Sequence, residues 1–240
     1  MYGGYGMGYG YGFDPTILLV LIGVALSLWA QGRVNSAFSR YSKVRSRTGM
    51  TGAEAARRLL NSQGIYDVEV RAVAGSLTDH YDPRTRTVNL SETVYGASSV
   101  AAIGVAAHEC GHAMQHNEEY GPLRFRSALV PAANLGSRIS WPLILIGMIF
   151  GGLGSPLVQI GILMFTLAVL FQLVTLPVEF NASNRAVKLL DSQGILASDE
   201  VSGTRKVLSA AALTYVAAAA SSILQLLRLV ILFGGRDRRD

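Results

Sequence analysis

Three long uncharged apolar runs divide this chain, and shorter stretches of periodic apolar and polar residues lie between them. Pro15 to Gly32 carries no charge and as a helix is just long enough to cross a hydrocarbon core of about 30 Å. Ile139 to Val178 is uncharged over 40 residues, which at about 1.5 Å per residue makes roughly 60 Å of helix, or two crossings. Gly151-Gly152-Leu153-Gly154-Ser155-Pro156 falls where such a hairpin must turn. Val207 to Leu227 is the third run, rich in alanine, and small residues of that kind suit close helix packing more than lipid contact. Its pattern leaves open whether it spans fully, folds back, or is buried short of spanning.

Between the runs a small α+β unit is legible. Thr51-Gly52-Ala53-Glu54 has the form of a capping box, and the helix it opens ends at Gly64. Leu59-Leu60-Asn61-Ser62-Gln63-Gly64-Ile65 has a near-copy at Leu189 to Ile195, read as convergence on good end-capping chemistry rather than as a repeat. Val68, Val70, Ala72 and Ala74 alternate with polar residues as a half-buried strand, Asp82-Pro83-Arg84 makes a turn, and Thr85 to Ser91 alternates again with Val88 and Leu90 on the apolar side. This second strand is expected to offer a free edge to which an extended substrate adds. Ser98 to Gln115 reads as a helix with a Ser cap.

Composition agrees with the membrane reading: 50% of the 240 residues are hydrophobic and 15% charged, and a mean hydropathy of +0.33 is too high for an ordinary soluble domain. Met1 to Phe13 alternates glycine with tyrosine and is expected to be a mobile tail. No basic residue precedes the first run, so residues 14–32 read as an uncleaved anchor rather than a signal peptide. Arg33, Arg40, Lys43, Arg45 and Arg47 follow it, which places the downstream side in the cytoplasm by the positive-inside rule. Residues 33–138 then lie in the cytoplasm, and the hairpin returns Glu179 to that side. The basic tail Arg236 to Arg239 runs against the rule if the third run crosses once. The net charge of +5 suits loops beside anionic lipid, and no basic and aromatic interleaving points to nucleic acid. The single cysteine, Cys110, excludes an intrachain disulfide and fits a reducing compartment.

The chemistry concentrates at His108-Glu109-Cys110-Gly111-His112. Residues four apart share a helix face, so both imidazoles can reach one zinc ion while Glu109 leans toward an activated water as general base. An unpaired carboxylate and two imidazoles on an otherwise apolar helix would cost several kcal/mol without such a purpose. Cys110, about 200° around the helix from His108, faces packing instead. A zinc site needs a third protein ligand. His116 is eight residues from His108, about 12 Å along the helix, and out of reach. Glu179 is better placed, because a carboxylate at the end of an apolar span is costly unless ligated or paired.

Leu77-Thr78-Asp79-His80-Tyr81-Asp82-Pro83-Arg84, Val105 to Gln115 around the motif, and Glu179-Phe180-Asn181-Ala182-Ser183 together resemble the YugP-like neutral zinc metallopeptidases, a bacterial membrane family. The resemblance covers nearly the whole chain beyond its Tyr/Gly-rich start. It implies a gluzincin-type site with His108 and His112 as ligands, Glu109 as general base and Glu179 as third ligand. More distantly the chain is similar to the HtpX-type membrane peptidases, which usually carry an aspartate where Ser183 stands here. Asn181, Ser183, Asn184 and Arg185 remain alternatives for orienting a ligand or the base, and His80 and Tyr81 for stabilising an oxyanion.

The expectation is a mainly α multi-pass membrane protein with a small α+β zincin-like catalytic unit. Its parts are a mobile tail (1–13), a transmembrane anchor (14–32), a cytoplasmic catalytic unit (33–138), a transmembrane hairpin (139–178), a third-ligand helix (179–206) and a membrane-associated or transmembrane C-terminal segment with a basic tail (207–240). The expected function is a zinc-dependent endopeptidase acting on peptides or proteins at the cell membrane. Two other classes are weighed against it. A zinc-stabilised adaptor has no use for Glu109, and a transporter would need ionisable groups within the hairpin, which has none.

Overall fold

The computed structural model describes residues 14–152 and 154–234; the Tyr/Gly-rich start and the basic tail lie outside them. The long apolar runs become helices that outgrow the runs themselves. Helix α1 spans Ile17–Tyr41, α5 Gly121–Gly151, α6 Pro156–Ser192 and α7 Ser198–Phe233, and all four are long and apolar enough to cross a membrane. The smaller elements are α2 (Gly52–Ser62), β1 (Glu69–Val73), β2 (His80–Asp82), β3 (Thr87–Ser91), α3 (Glu92–Tyr95) and α4 (Val100–Asn117). The chain is therefore a mainly α membrane protein carrying a small α+β unit.

α5 and α6 form an antiparallel pair, with α7 against the other flank of α6 and α1 against α7. α7 is one unbroken helix, so the Val207 to Leu227 run does not fold back. Its Arg228 donates to Asp14 at 2.9 Å and to Thr16 at 3.2 Å, at the start of α1. At the opposite end, Gly203 of α7 meets the Tyr41 ring. The N-terminal end of α1 and the C-terminal end of α7 therefore lie together at one end of the bundle, away from the α+β unit. Pro131, Pro142 and Pro177 sit inside the long helices, where each removes one backbone hydrogen bond without ending the helix.

The expected end-capping is present. Thr51 Oγ1 accepts from the Glu54 amide at 3.2 Å while Glu54 accepts from the Thr51 amide at 2.8 Å. The two copied heptads adopt one geometry: Gly64 and Gly194 have φ of +70° and +59°. Ile65 and Ile195 donate to Leu60 and Leu190 at 3.0 and 3.1 Å. Only glycine enters that left-handed turn freely, which is why the same residues recur at two unrelated helix ends.

The sheet corrects one expectation. Its order is β1-β3-β2, with β3 parallel to β1 and antiparallel to β2. The strand read from Thr85 to Ser91 begins at Thr87, and as β3 it is central, has no free edge, and is buried at every position. β2, too short to show an alternation, is the edge beside α4. Asp79 locks it in place by accepting from the backbone and hydroxyl of Ser91 at 2.8 and 3.0 Å.

Candidate active site

α4 is apolar almost all round and is buried between α2, α6 and α7. Ser99 caps it, accepting from the Ala102 amide at 3.2 Å. Glycines set how closely its neighbours approach. A Cβ on Gly111 would stand 2.6 Å from the carbonyl oxygen of Ala182 on α6, and one on Gly104 2.7 Å from Thr204 Cγ2 on α7. The glycine inside the metal motif therefore lets α4 lie directly on the backbone of α6, three residues from Glu179. Cys110 is fully buried on the far side, its thiol donating to Ala56 O at 3.6 Å, and burial pushes that thiol up from its ordinary pKa.

Where α4 and α6 touch, His108, His112 and Glu179 bring one ligand atom each within 4.8 Å of one another. Glu179 Oε2 lies 3.3 Å from His108 Nε2 and 3.5 Å from His112 Nε2. Neither approach is a hydrogen bond: Oε2 is buried and lacks a donor. Such an orphaned carboxylate oxygen is costly in an apolar helix bundle. Ligands bound at about 2.0–2.1 Å to one tetrahedral ion stand about 3.3–3.4 Å apart. The donor set and its spacing fit zinc.

Both rings are held from behind. His108 Nδ1 lies 3.1 Å from Ser183 Oγ, and His112 Nδ1 lies 3.0 Å from Gln115 Oε1. Gln115 is fully buried and donates to Val178 O at 2.8 Å and Asn181 Oδ1 at 2.9 Å. Asn181 accepts in turn from Arg185 at 2.7 Å, and Arg185 donates to Glu118 at 2.6 Å. Gln115 Oε1 can only accept, so it holds His112 with the proton on Nδ1 and leaves Nε2 free, while the Ser183 hydroxyl orients the His108 ring. Burial disfavours charge on His112, but the Glu179 carboxylate, Glu109 and Gln115 Oε1 outweigh it and raise its pKa above the ordinary value.

Glu109, His112 and Glu179 open onto a cleft of about 750 Å³, walled by β2, the end of α4, the start of α5, and Tyr215 of α7. His80 and Tyr81 line it from the β2 edge. The Tyr81 hydroxyl meets His116 Nδ1 at 2.7 Å, and burial, aided by the Asp82 carboxylate, pushes this phenol up to about 12. His116 thus bonds at the helix end and stands apart from the three clustered ligand atoms, as its spacing in the sequence implied. Arg126 enters the cleft from α5 with its guanidinium 5.6 Å from the Phe171 ring and its Nε buried without a partner. Of the four residues singled out in the sequence, the structure gathers His108, His112 and Glu179 into one cluster and sets Glu109 in the wall of the same cleft. Gln115, Arg126 and Tyr215 were not singled out. Gln115 had a local signal, three residues after His112 on one helix face, and Tyr215 stood out as a phenol in an alanine-rich span.

Four apolar helices, with two histidines of an H-E-x-x-H helix clustered against a glutamate of α6, define a membrane protein of the zinc-peptidase class. The chain belongs to the family described as "Putative neutral zinc metallopeptidase", which matches residues 16–234. It is 53% identical over 222 residues to the "Putative membrane protease YugP" of Bacillus subtilis (strain 168), covering 92% of this chain and 98% of that relative. No solved structure matches it.

Proposed function

We propose that the protein is a membrane-embedded zinc endopeptidase in which His108, His112 and Glu179 bind the metal and Glu109 is the general base. The observation that carries this reading is the buried, donorless Oε2 of Glu179 facing two imidazole nitrogens whose other ring nitrogens are already engaged. When bound, zinc supplies a Lewis acid for the scissile carbonyl and lowers the pKa of a water molecule beside it. Glu109 takes the proton of the attacking water and hands it to the departing amine nitrogen. Glu109 is 8% exposed and lines the cleft beside His112 and Glu179, where an attacking water would stand.

The short free edge of β2 is suited to pair with an extended substrate backbone, the role first expected of the following strand. His80 stands at that edge, with Nδ1 2.9 Å from Thr78 O and Nε2 3.3 Å from Asn89 Nδ2. The catalytic unit faces the cytoplasm, in keeping with Arg33 to Arg47 after the first span, and both chain ends lie outside. With the ends of α1 and α7 together, four crossings satisfy this arrangement, at the expense of a short basic tail on the outer side.

The experiment is metal content and peptide hydrolysis of purified protein. Glu109→Gln is expected to keep zinc near unit stoichiometry and lose most turnover, while His108→Ala, His112→Ala and Glu179→Ala lose the metal. Undiminished hydrolysis by a metal-replete Glu109→Gln protein refutes the assignment.

A further inference from the structure

The three helices that wall the cleft from the membrane side meet at one level and part at another. At the end far from the site, Ile144 of α5, Phe165 and Val169 of α6, and Leu229 of α7 close into one apolar cluster. At the site end, Arg126 of α5, Glu179 of α6 and Tyr215 of α7 instead line the open cleft. The two levels are 14 residues apart on α6 and on α7, about 21 Å of helix. α5 and α7 each pack along α6, yet among the described residues they hardly touch each other. The result is a wedge-shaped slot floored by α6, open at the cleft and tapering into the membrane-spanning part of the bundle.

The floor of the slot carries a polar group. Gln172 lies seven residues before Glu179, hence on the same face of α6 and about 10 Å deeper. It is half-buried and makes no side-chain hydrogen bond among the described residues. Leu163 and Leu170, both exposed and seven residues apart, lie on the opposite face of α6, as lipid contact requires. An unpartnered amide in an apolar span is retained where it meets water or a ligand. Glu179 itself sits 23 residues along α6 from Pro156, about 35 Å, which puts the site at the edge of a hydrocarbon core of about 30 Å.

We propose that the substrates are membrane proteins, whose chain enters the catalytic cleft sideways from the bilayer through the slot between α5 and α7. This rests on the peptidase reading above and names its substrate class. A spanning helix must unwind before one of its peptide bonds can be hydrolysed. Its freed N–H and C=O groups cost several kcal/mol each in lipid. Gln172, with one amide donor group and one acceptor, and the Tyr215 hydroxyl give those groups partners inside the slot. The bond then cut lies within about six residues of the end of the substrate's membrane helix, the number of extended residues that span the roughly 21 Å of slot.

The test uses the full chain carrying Glu109→Gln, zinc-loaded, in phosphatidylethanolamine and phosphatidylglycerol vesicles. The probe is a single-span protein with one cysteine in the last turn of its helix, followed by a flexible segment. Cysteine is placed either in the slot (Gln172→Cys) or two residues away on the lipid face (Leu170→Cys), and disulfide capture is driven by tetrathionate. Cys110 is buried and stays silent. Ala168→Cys, one turn further along the slot face, replaces the first variant if it is not recovered folded. Capture at the slot about tenfold faster than at Leu170→Cys is expected, since residence in the slot raises the local probe concentration. Equal capture, or faster capture on the lipid face, overturns the proposal. As a second readout, the parent protein should cut this probe about tenfold faster than the same segment on a lipid anchor, a difference of about 1.4 kcal/mol. Equal rates overturn lateral entry while leaving the peptidase reading intact. Slot capture together with no Glu109-dependent cleavage of either probe refutes the peptidase reading instead.

Discussion

Gly111→Ala tests the link from packing to metal with a single methyl group. In an exposed helix this change stabilises by up to about 1 kcal/mol. Here the new Cβ would stand 2.6 Å from the Ala182 carbonyl oxygen, where ordinary contact begins at 3.4 Å. The contacting atom is backbone of α6 and cannot rotate away, so α4 must move off α6 by about 0.8 Å, the difference between those two distances. Metal–ligand distances tolerate only about 0.2 Å, and α4 carries two of the proposed ligands while α6 carries the third. Overpacking of this kind costs about 1–3 kcal/mol. If most of that falls on the metal-bound geometry, zinc affinity drops about 10- to 100-fold at 1.4 kcal/mol per decade. The assay is competition for zinc with a chromophoric chelator, run beside two controls. Gly32→Ala, with nothing within 4 Å of the new Cβ, should match the parent. Gly104→Ala presses on the Thr204 side chain of α7 and should lower thermal stability more than zinc affinity. Parental zinc affinity in a folded Gly111→Ala protein refutes the claim that this glycine sets the distance between α4 and α6.

Further outcomes follow from the same geometry. Gln115→Leu removes the acceptor behind His112 Nδ1 and should cost about 10- to 100-fold in zinc affinity, with Ser183→Ala doing the same through His108; an unchanged chelator titration for both excludes their positioning role. Because the pKa of His112 is raised, protons compete for its Nε2 above the ordinary histidine range, so zinc affinity should fall as pH is lowered through that raised value; titration from about pH 8 to about pH 5.5 reads this. The sign for the metal-free chain is opposite: the His112 to Glu179 contact is fully stabilising below the unfolded histidine pKa of about 6.5 and is lost as pH rises through the folded one. Melting curves of chelator-stripped protein that improve with rising pH across that window contradict it. A topology reporter fused after residue 120 should read cytoplasm and one inserted at Gly152 the outside; the same side for both removes the hairpin.

How much of this was legible in the sequence depends on how local each cause is. The H-E-x-x-H face, the capping box at Thr51 and the glycine ends at Gly64 and Gly194 are set within one helical turn, so spacing alone reveals them. The membrane spans follow from hydropathy because lipid imposes length and composition directly, although the helices run on past the apolar residues, as α6 does through Glu179. Glu179 itself was found by cost: a carboxylate at the end of an apolar run needs a reason.

What tertiary structure alone decided are relations between distant segments. Strand order is one: the alternation in Thr85 to Ser91 reports an apolar face, but pairing on both sides makes β3 central and leaves the edge to β2, a strand of three residues with no periodicity to read. The Ser183 hydroxyl behind His108 is another, since Asn181, Ser183, Asn184 and Arg185 all offered polar groups shortly after Glu179 and only the contact of α4 on α6 selects one. The slot proposed between α5 and α7 is a third, since hydropathy marks each apolar run as a span without saying which helix lies beside it. Only their packing around α6 turns Gln172 and Tyr215 from isolated polar residues into one lining, because sequence encodes the faces of helices while packing decides which faces meet.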